Sequence, residues 1–327
     1  MNNPSLLLTG IRGNTGRVIA EELLARNIPF RAMTHSRRYL AEYQSRGMHG
    51  VFGDFDAPES LGRALEGVEK AYLVCTPDEK LVRRETAFIA AAKKAGVKHV
   101  VMCSAFMSGE NAPTQNLRSH GVIEKALVES GITYTIIRPI GFMQTFTMFL
   151  WDMVEKADVI SMPTGDGGMA YVDVRNVAQV GIKALLEPGH ENKTYDLTGP
   201  QSLSNYDLAE ILSGVLGREI ICLPGNEKDL LRVMAVLGVP ETPTEHVVKI
   251  FRLQREKKIE MVLPTLQELG IRPIPYREFA EDYVAGRTTG GNSFAVPDTL
   301  GIRAFNFIGV QLMRLRVALA KRKMRSM

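Results

Sequence analysis

The sequence predicts an α/β protein built on a doubly wound parallel sheet. Short apolar runs alternate with longer helical patterns through the first half of the 327-residue chain, and a glycine-rich turn follows the first apolar run directly. Strand–helix–strand units at this spacing form right-handed crossovers. Such crossovers place the strands in one sheet and the helices on both of its faces.

The predicted elements follow from the apolar patterns in chain order. Leu6-Leu7-Leu8 is a buried strand, and Ile19 and Leu23 mark the inner face of the helix after it. Further strands are predicted at residues 30–33, 50–52, 71–75, 99–102 and 134–137, and helices between them at 61–65 and 86–95. After Pro139 the sequence predicts helices at 142–154, 175–186, 205–215 and 228–237 and one short strand at 195–199, and residues 278–284 close the compact region.

The change of pattern after Pro139 predicts three regions. Residues 1–157 form the sheet domain. Residues 158–287 partly complete the sheet and form a smaller, mostly helical cover at the carboxyl ends of the strands, where a substrate pocket would lie. Residues 288–327 begin with the turn-forming run TTGGNS and continue as a basic amphipathic helical tail.

The basic charge of the chain is concentrated in that tail. The formal net charge is +4, and residues 303–327 contribute seven basic side chains and no acidic one. The preceding 302 residues therefore carry a net charge of −3, so no nucleic-acid partner is expected. The tail is expected either to dock on the acidic body, to mediate self-association with a second subunit, or to lie in an anionic membrane interface.

The amino-acid composition excludes several classes of protein and indicates the cellular compartment. With 45% hydrophobic and 23% charged residues, the chain is neither intrinsically disordered nor fibrous. Cys75, Cys103 and Cys222 are odd in number and widely spaced, so neither a disulfide framework nor a metal site is predicted. The sequence shows no secretion signal and no membrane-spanning run. We expect a cytoplasmic protein, with peripheral membrane association through the tail as the alternative.

The glycine-rich turn opens the first predicted helix and predicts a dinucleotide site. Glycines allow a tight turn and let the backbone approach a pyrophosphate, whose charge is attracted by the free N–H groups of the helix N-terminus. A turn with purely structural glycines is the alternative. The residues expected to contact the cofactor here are Thr9, Gly10, Arg12, Gly13, Asn14, Thr15 and Gly16.

The residues after the second predicted strand favour NADP(H) over NAD(H). A carboxylate at this position would bind a ribose hydroxyl of NAD, but no Asp or Glu occurs between Glu22 and Glu42. His35, Arg37 and Arg38 stand there instead, and Arg12 lies nearby in the glycine turn. Because guanidinium groups suit a phosphate dianion, these residues predict contact with the extra phosphate of NADP(H). A solvated basic helix start is the alternative.

Several motifs, taken in order, resemble the NmrA-like family of atypical short-chain dehydrogenases/reductases. This family includes quinone oxidoreductase-like, triphenylmethane reductase-like and isoflavone reductase-like enzymes. The motifs after the glycine turn are GDFD (53–56), PESL (58–61), VCTP (74–77), KHVV (98–101), SAF (104–106), GITYTIIRP (131–139), YVDVRNVA (171–178) and YDLTGP (195–200). Together they cover roughly residues 5–285, and the tail lies outside the resemblance.

The resemblance implies a Rossmann-fold, NAD(P)-binding oxidoreductase and assigns further cofactor contacts. Asp54 and Phe55 are implied to flank the adenine. The middle of the cofactor is implied to lie along Cys75, Thr76 and Pro77. The nicotinamide is implied to lie near Ser104, Ala105 and Phe106. We also expect cofactor contacts from His120 and Pro139.

The proton relay of ordinary short-chain dehydrogenases, Tyr-x-x-x-Lys, is absent from the sequence. None of the nine tyrosines has Lys four residues later. Counting back from residues 131–135, the lysine position falls on His120 and the tyrosine position on Asn116. His120 is therefore the catalytic candidate, with Glu124 one helical turn on placed to hold its imidazole. A cofactor-touching or helix-surface histidine is the alternative.

Two functions remain open at this point. In the first, an NADPH-dependent reductase moves hydride to a bulky conjugated acceptor, such as a quinone, an enone or a dye, that needs little proton assistance. In the second, a non-catalytic NADP(H)-binding redox sensor acts through a protein partner. A structural or assembly factor that merely keeps the cofactor site is a third possibility.

An aromatic and methionine-rich stretch supplies candidates for a substrate pocket. Phe142, Phe146, Phe149 and Met153 share one face of a predicted helix, a pattern for which core packing is the favoured explanation. If part of this surface lines a pocket, its rings and thioethers suit a flat aromatic small molecule. The residues predicted to line it are Phe106, Phe142, Met143 and Phe146.

Overall fold

The computed structural model describes residues 4–145, 150–236 and 239–288 of this protein. The strands are β1 (Leu6–Leu8), β2 (Arg31–Thr34), β3 (His49–Phe52), β4 (Lys70–Leu73), β5 (His99–Cys103), β6 (Thr133–Pro139), β7 (Val159–Ile160), β8 (Lys193–Leu197) and β9 (Ile221–Cys222). The helices are α1 (Asn14–Ala25), α2 (Arg38–Ser45), α3 (Leu61–Leu65), α4 (Leu81–Ala95), α5 (Gln115–Glu129), α6 (Trp151–Ala157), α7 (Val174–Leu186), α8 (Asn205–Leu216), α9 (Glu227–Val236), α10 (Glu241–Arg255), α11 (Thr265–Glu268) and α12 (Tyr276–Thr288).

Seven of these strands form one parallel sheet, which confirms the predicted fold class. Their order is β3-β2-β1-β4-β5-β6-β8. Leu7 of β1 pairs with Arg31 of β2 on one side and with Ala71 of β4 on the other. The chain therefore winds outward in both directions from β1, and the order reverses between β1 and β4. In open sheets of this kind, ligands bind outside the carboxyl ends of the strands at that reversal.

Helices cover both faces of the sheet. On one face, the fully buried Leu73 and Val100 share a hydrophobic cluster with Phe88 of α4 and Ile123 of α5. On the other face, α7 approaches closely at Gly181, where an added Cβ would lie 3.1 Å from Ile19 of α1. Complete burial of each large apolar side chain contributes roughly 2 kcal/mol relative to exposure, so this two-sided packing holds the sheet in place.

The chain divides into two compact units that are discontinuous in sequence. The sheet unit takes the described residues up to Ile140, together with Val174–Leu197 and Pro264–Arg272. The helical unit takes Gly141–Asp173, Thr198–Leu263 and the described residues from Pro273 onward. The chain thus returns to the sheet unit through α7 and β8, and β8 pairs with β6 in parallel.

The helical unit has its own core and a small sheet. Leu208 and Leu212 of α8 are fully buried in it, and the Trp151 ring meets the Tyr283 ring edge-on with 4.8 Å between centroids. The short strands β7 and β9 pair in parallel. Helix α8 begins at a reciprocal cap in which the Asp207 carboxylate accepts the Ser204 backbone N–H at 2.7 Å. Such a cap satisfies two backbone donors of the first turn.

The elements after Pro139 follow the predicted pattern with several differences. The predicted helix at 142–154 is helical at residues 143–145 and again in α6 from Trp151, while residues 146–149 lie outside the described residues. Helices α10 and α11 and the short strands β7 and β9 were not predicted. None of the described helices combines the length and apolar character that a membrane crossing requires. The predicted linker and tail lie outside the described residues from position 289 onward.

Candidate functional site

The glycine turn after β1 adopts a conformation that side chains would prevent. Gly10 has a φ of +61°, and a Cβ there would lie 2.4 Å from a methyl group of Val74. A Cβ on Gly16 would lie 2.3 Å from the Gly10 carbonyl oxygen. The Gly13 N–H donates to that same oxygen at 2.8 Å, which closes the turn. Glycine is therefore required at positions 10 and 16 for the backbone itself to pass.

Helix α1 presents its N-terminus at this turn. Its N-cap residue, Gly13, has no side chain, and the first turn contains no acidic residue. The positive end of the helix is thus not neutralised by its own first turn, and such an end attracts a phosphate group. Thr9 is fully buried, and its hydroxyl accepts the Val74 N–H at 2.8 Å, which ties the end of β1 to the end of β4. Thr15 is also buried, and Asn14 is exposed at the first helical position.

Three arginines gather beside the turn, each stacked on an aromatic ring. The Arg12 guanidinium lies 4.0 Å from the centroid of the Tyr39 ring, and that of Arg38 lies 4.6 Å from the same ring. Arg37 lies 4.5 Å from the centroid of the Phe52 ring. Stacking on a ring leaves the N–H edge of a guanidinium available to a phosphate. We call these three residues the arginine corner, and His35 is exposed next to it.

The loop after β3 is fixed by internal hydrogen bonds and by an aromatic contact. The Asp54 N–H donates to the Ser60 hydroxyl at 2.8 Å, and the Asp54 carboxylate accepts the Asp56 N–H at 2.9 Å. The Phe55 ring meets the Phe88 ring of α4 at 5.7 Å between centroids. Asp54 and Phe55 are both half-buried, so each keeps part of its surface accessible beside the carboxyl end of β3.

The segment after β4 combines exposed residues with a deeply buried acid. Thr76 and Pro77 are exposed, whereas Cys75 is half-buried. Burial raises the pKa of the Cys75 thiol to about 11. Glu85 of α4 is fully buried, and burial raises the pKa of its carboxyl to about 8. At neutral pH both groups are therefore protonated, and Cys75 is a poor nucleophile.

The loop after β5 extends the pairing between β5 and β6. The Ser104 N–H donates to the Ile137 carbonyl at 2.8 Å, and the Phe106 N–H donates to the Pro139 carbonyl at 2.9 Å. Ser104 is 6% exposed, whereas Ala105 and Phe106 are half-buried. Ser104, Ala105, Phe106 and Pro139 therefore lie together at the carboxyl edge of the sheet unit, as the motif order implies.

Helix α5 places His120 and Glu124 one turn apart, both buried. The Glu124 carboxylate is occupied by the Arg138 guanidinium, which donates to it through Nε at 3.0 Å and Nη2 at 2.5 Å, and by the hydroxyls of Ser104 and Ser108. Although burial opposes ionisation, hydrogen bonds from Arg138 and the two serines hold the pKa of Glu124 below its ordinary value. Its observed role is thus to anchor β6 and the loop after β5.

The predicted substrate-contacting residues do not all belong to the sheet unit. Phe106 lies in the sheet unit, whereas Phe142 and Met143 lie in the helical unit. Met143 is 1% exposed and belongs to the hydrophobic core of that unit. The backbone of Phe142 forms an isolated β-bridge with that of Val172. Phe146 lies outside the described residues. Within the described ranges, no cluster of three His, Cys, Asp or Glu side chains is placed to hold a metal ion.

Sequence patterns gave no signal for three features of the site. Tyr39 supports two guanidinium groups, Glu85 places a buried acid beside the loop after β4, and Glu124 pairs with Arg138. Arg138 belongs to the motif GITYTIIRP, but the motif does not indicate which side chain Arg138 pairs with. The contacts of Arg12 with Tyr39 and of Glu124 with Arg138 depend on packing between separate elements.

A family model and several known proteins match most of the length of this chain. A family model described as the NmrA-like family matches residues 3–270. The NAD(P)H azoreductase of Xenophilus azovorans is 32% identical over 283 residues, which are 86% of this chain and 98% of that protein. A (4-alkanoyl-5-oxo-2,5-dihydrofuran-3-yl)methyl phosphate reductase of Streptomyces griseus subsp. griseus is 31% identical over 285 residues, 85% of this chain and 97% of that protein.

A solved structure extends the likeness to the arrangement of the backbone. The triphenylmethane reductase of Citrobacter sp., in complex with NADP(H), superposes with a TM-score of 0.76 at 27% identity. The match covers 85% of this chain and 99% of that one.

Proposed function

Because this chain belongs to the NmrA-like family, we propose that it is an NADPH-dependent reductase that transfers hydride to a bulky conjugated acceptor, such as a quinone, an enone or a dye. The observation that carries the proposal is the glycine turn beside the arginine corner. The names of its relatives support the same class of reaction, since they include an azoreductase and a triphenylmethane reductase.

The residues of the sheet unit fit a dinucleotide. The narrow turn at Gly10 and Gly16 and the open N-terminus of α1 would hold the pyrophosphate, because a Cβ at either glycine would close the turn. The arginine corner would hold the additional phosphate of NADPH, since Arg37 and Arg38 follow β2 where a carboxylate would favour NAD, and Arg12 of the glycine turn shares the Tyr39 ring with Arg38. Asp54 and Phe55 would flank the adenine.

When bound, NADPH supplies the hydride, and the chain supplies orientation and proton control. The loop after β5 would place Ser104, Ala105 and Phe106 at the nicotinamide end, because these residues lie at the carboxyl edge of β5. His120, on the adjoining helix α5, is the residue we propose to orient the acceptor or to donate a proton to it. Extended conjugation in the acceptor reduces how much proton assistance hydride transfer needs.

A panel assay on the purified full-length chain tests this function. Oxidation of NADPH is followed with quinones, enones, azo dyes and triphenylmethane dyes, and the affinities for NADPH and NADH are measured separately by fluorescence titration. We expect turnover with at least one acceptor class and tighter binding of NADPH than of NADH. Tighter binding of NADH would contradict the assignment of the arginine corner.

A second candidate, a non-catalytic NADP(H)-binding sensor, is favoured by one observation in the sequence. No tyrosine in the chain is followed by lysine at the spacing that ordinary short-chain dehydrogenases use. The same assay separates the two candidates. Tight NADPH binding with no turnover of any acceptor would support the sensor and contradict the reductase.

A further inference from the structure

The hydroxyl groups of Ser104 and Ser108 share one acceptor. Both donate to Oε1 of Glu124, Ser108 at 2.5 Å. The same oxygen accepts a hydrogen bond from Nε of Arg138 at 3.0 Å. The other oxygen, Oε2, accepts one from Nη2 of Arg138 at 2.5 Å. Glu124 is 5% exposed, so water does not compete for these four hydrogen bonds as it would on the surface.

This arrangement fixes the direction of each hydrogen bond. An arginine side chain always carries its positive charge, and its forked contact keeps Glu124 ionised. An ionised carboxylate only accepts hydrogen bonds, whereas a serine hydroxyl has a single proton to donate. Ser104 therefore directs its proton to Glu124, and its oxygen offers only lone pairs to any other group.

The backbone around Ser104 is held as firmly as its side chain. Its N–H donates to Ile137 of β6 at 2.8 Å. Further along the loop, Gly109 lies directly against Gly121 of α5, where a Cβ would meet the Gly109 Cα at 2.6 Å. The loop is thus anchored at both ends, which keeps the backbone of Ser104 in place beside Glu124, and the hydrogen bond to the carboxylate then holds its hydroxyl.

We propose that Glu124 is a positioning residue that makes Ser104 a hydrogen-bond acceptor toward the nicotinamide half of the cofactor. In an open sheet of this kind, the two halves of a dinucleotide lie on the two sides of the reversal between β1 and β4, which brings the second half to the ends of β4, β5 and β6. The donors on that half are the carboxamide N–H₂ group and the ribose hydroxyls. Ser104 would bind one of them and would not protonate the substrate. This inference rests on the proposed function.

Ser104→Ala tests the proposal through binding and turnover measured separately. Loss of one neutral hydrogen bond is expected to weaken NADPH binding about three- to tenfold, while kcat stays within about threefold. If Ser104 instead donated to charge developing on the acceptor, kcat would fall about 100-fold or more with NADPH affinity unchanged. That result, or no change in either quantity, would overturn the proposal.

A cofactor analogue identifies the group that Ser104 binds. The 3-acetylpyridine analogue of NADP replaces the carboxamide by a ketone and therefore has no N–H donor there. A loss of affinity in Ser104→Ala that is confined to the natural nucleotide assigns the carboxamide. An equal loss with both nucleotides assigns a ribose hydroxyl. Both results support an acceptor role for Ser104.

A double-mutant cycle tests the part played by Glu124. Replacing Ser104 by Ala is expected to cost less NADPH affinity in a Glu124→Gln background than in the native chain, because the amide no longer fixes the hydroxyl. Additive effects would overturn the positioning role. Glu129→Gln, which removes an exposed charge from the same helix, is the control and should leave affinity unchanged.

A replacement variant and a binding measurement made without turnover separate failure of this proposal from failure of the proposed function. If Glu124→Gln does not fold, Glu124→Asp takes its place in the cycle, because its shorter side chain draws the carboxylate away from the Ser104 hydroxyl. The same reduced cost of Ser104→Ala is expected there, and additive effects would overturn the positioning role. Binding is measured without turnover. Altered NADPH affinity in a chain that reduces no acceptor would therefore contradict the reductase while supporting the assignment of Ser104.

Discussion

The guanidinium of Arg12 lies 4.0 Å from the centre of the Tyr39 ring and joins the glycine turn to helix α2. Arg38 stacks on the same ring at 4.6 Å. One aromatic side chain thus holds two of the three cations of the arginine corner, so it sets where their charge is placed even though it carries none itself.

Replacing Tyr39 by Leu should therefore weaken NADPH binding more than NADH binding. Each released guanidinium loses roughly 0.5–1 kcal/mol of stacking at this partly exposed site, and an NADPH affinity about three- to tenfold lower is expected. Fluorescence titration with both nucleotides measures the difference. Tyr206→Leu, on the exposed surface of α8, is the control. An equal loss for NADPH and NADH would show that Tyr39 supports the turn in general and not the phosphate contact.

Gly16→Ala is expected to abolish dinucleotide binding or to prevent folding. A Cβ there would lie 2.3 Å from the Gly10 carbonyl oxygen and 2.8 Å from that of Thr9, and neither backbone atom can move aside. Gly62→Ala in α3 is the matched control, because no atom lies within 4 Å of its added Cβ. That control should be neutral or stabilising by up to about 1 kcal/mol. Thermal unfolding with and without NADPH compares the two variants, and a Gly16→Ala chain that unfolds and binds like the native one would contradict this account of the turn.

Glu85 should make the fold less stable as the pH rises. Burial raises the pKa of its carboxyl to about 8 in the folded chain, above its ordinary value of 4.5. Its favourable contribution is therefore complete below about pH 4.5 and is lost as the pH rises toward and through about 8. Glu85→Gln removes the ionisation and should flatten this part of the profile.

Denaturant unfolding at pH 5 and pH 8 measures the effect of Glu85. The native chain should lose more free energy of unfolding between these values than Glu85→Gln does. The exposed Glu79→Gln is the control and should follow the native chain. Parallel profiles for the native chain and Glu85→Gln would mean that Glu85 ionises in the folded chain without a penalty.

His120→Ala should lower kcat for a reducible acceptor while leaving NADPH affinity within about threefold. A positioned acid or base contributes about 100-fold or more when proton transfer limits the rate, and a smaller loss is expected for a highly conjugated acceptor. Steady-state kinetics at several pH values, together with direct titration of NADPH, separate the two quantities. Unchanged turnover would exclude a catalytic role for His120.

The sequence predicts most of the sheet unit because its signals are local. Each strand is a short apolar run, and the glycine turn and the arginines at 37 and 38 are contiguous with the elements they serve. Helix α10 was missed because Pro240 and Pro243 suggest a break, and few of its side chains are buried. Proline is tolerated in the first turn of a helix, where its missing N–H would have no partner in any case.

The polar contacts of the site could not be predicted in the same way. Glu124 and Arg138 are 14 residues apart and belong to a helix and a strand, so no periodicity links them. One turn of helix separates His120 from Glu124, and that proximity suggested an imidazole–carboxylate pair. The packing of α5 against β6 brings a guanidinium and two hydroxyls to the same carboxylate, and no sequence pattern indicates these three partners.

The three cysteine thiols, one buried and two half-buried, have a consequence for a chain proposed to reduce quinones. Burial raises the pKa of Cys75, Cys103 and Cys222 to about 11 in each case. At neutral pH only about one thiol in 10⁴ is therefore ionised. Quinones and enones alkylate thiolates far faster than thiols, so these three side chains are expected to react slowly with the electrophiles that the proposed function would bring to the protein.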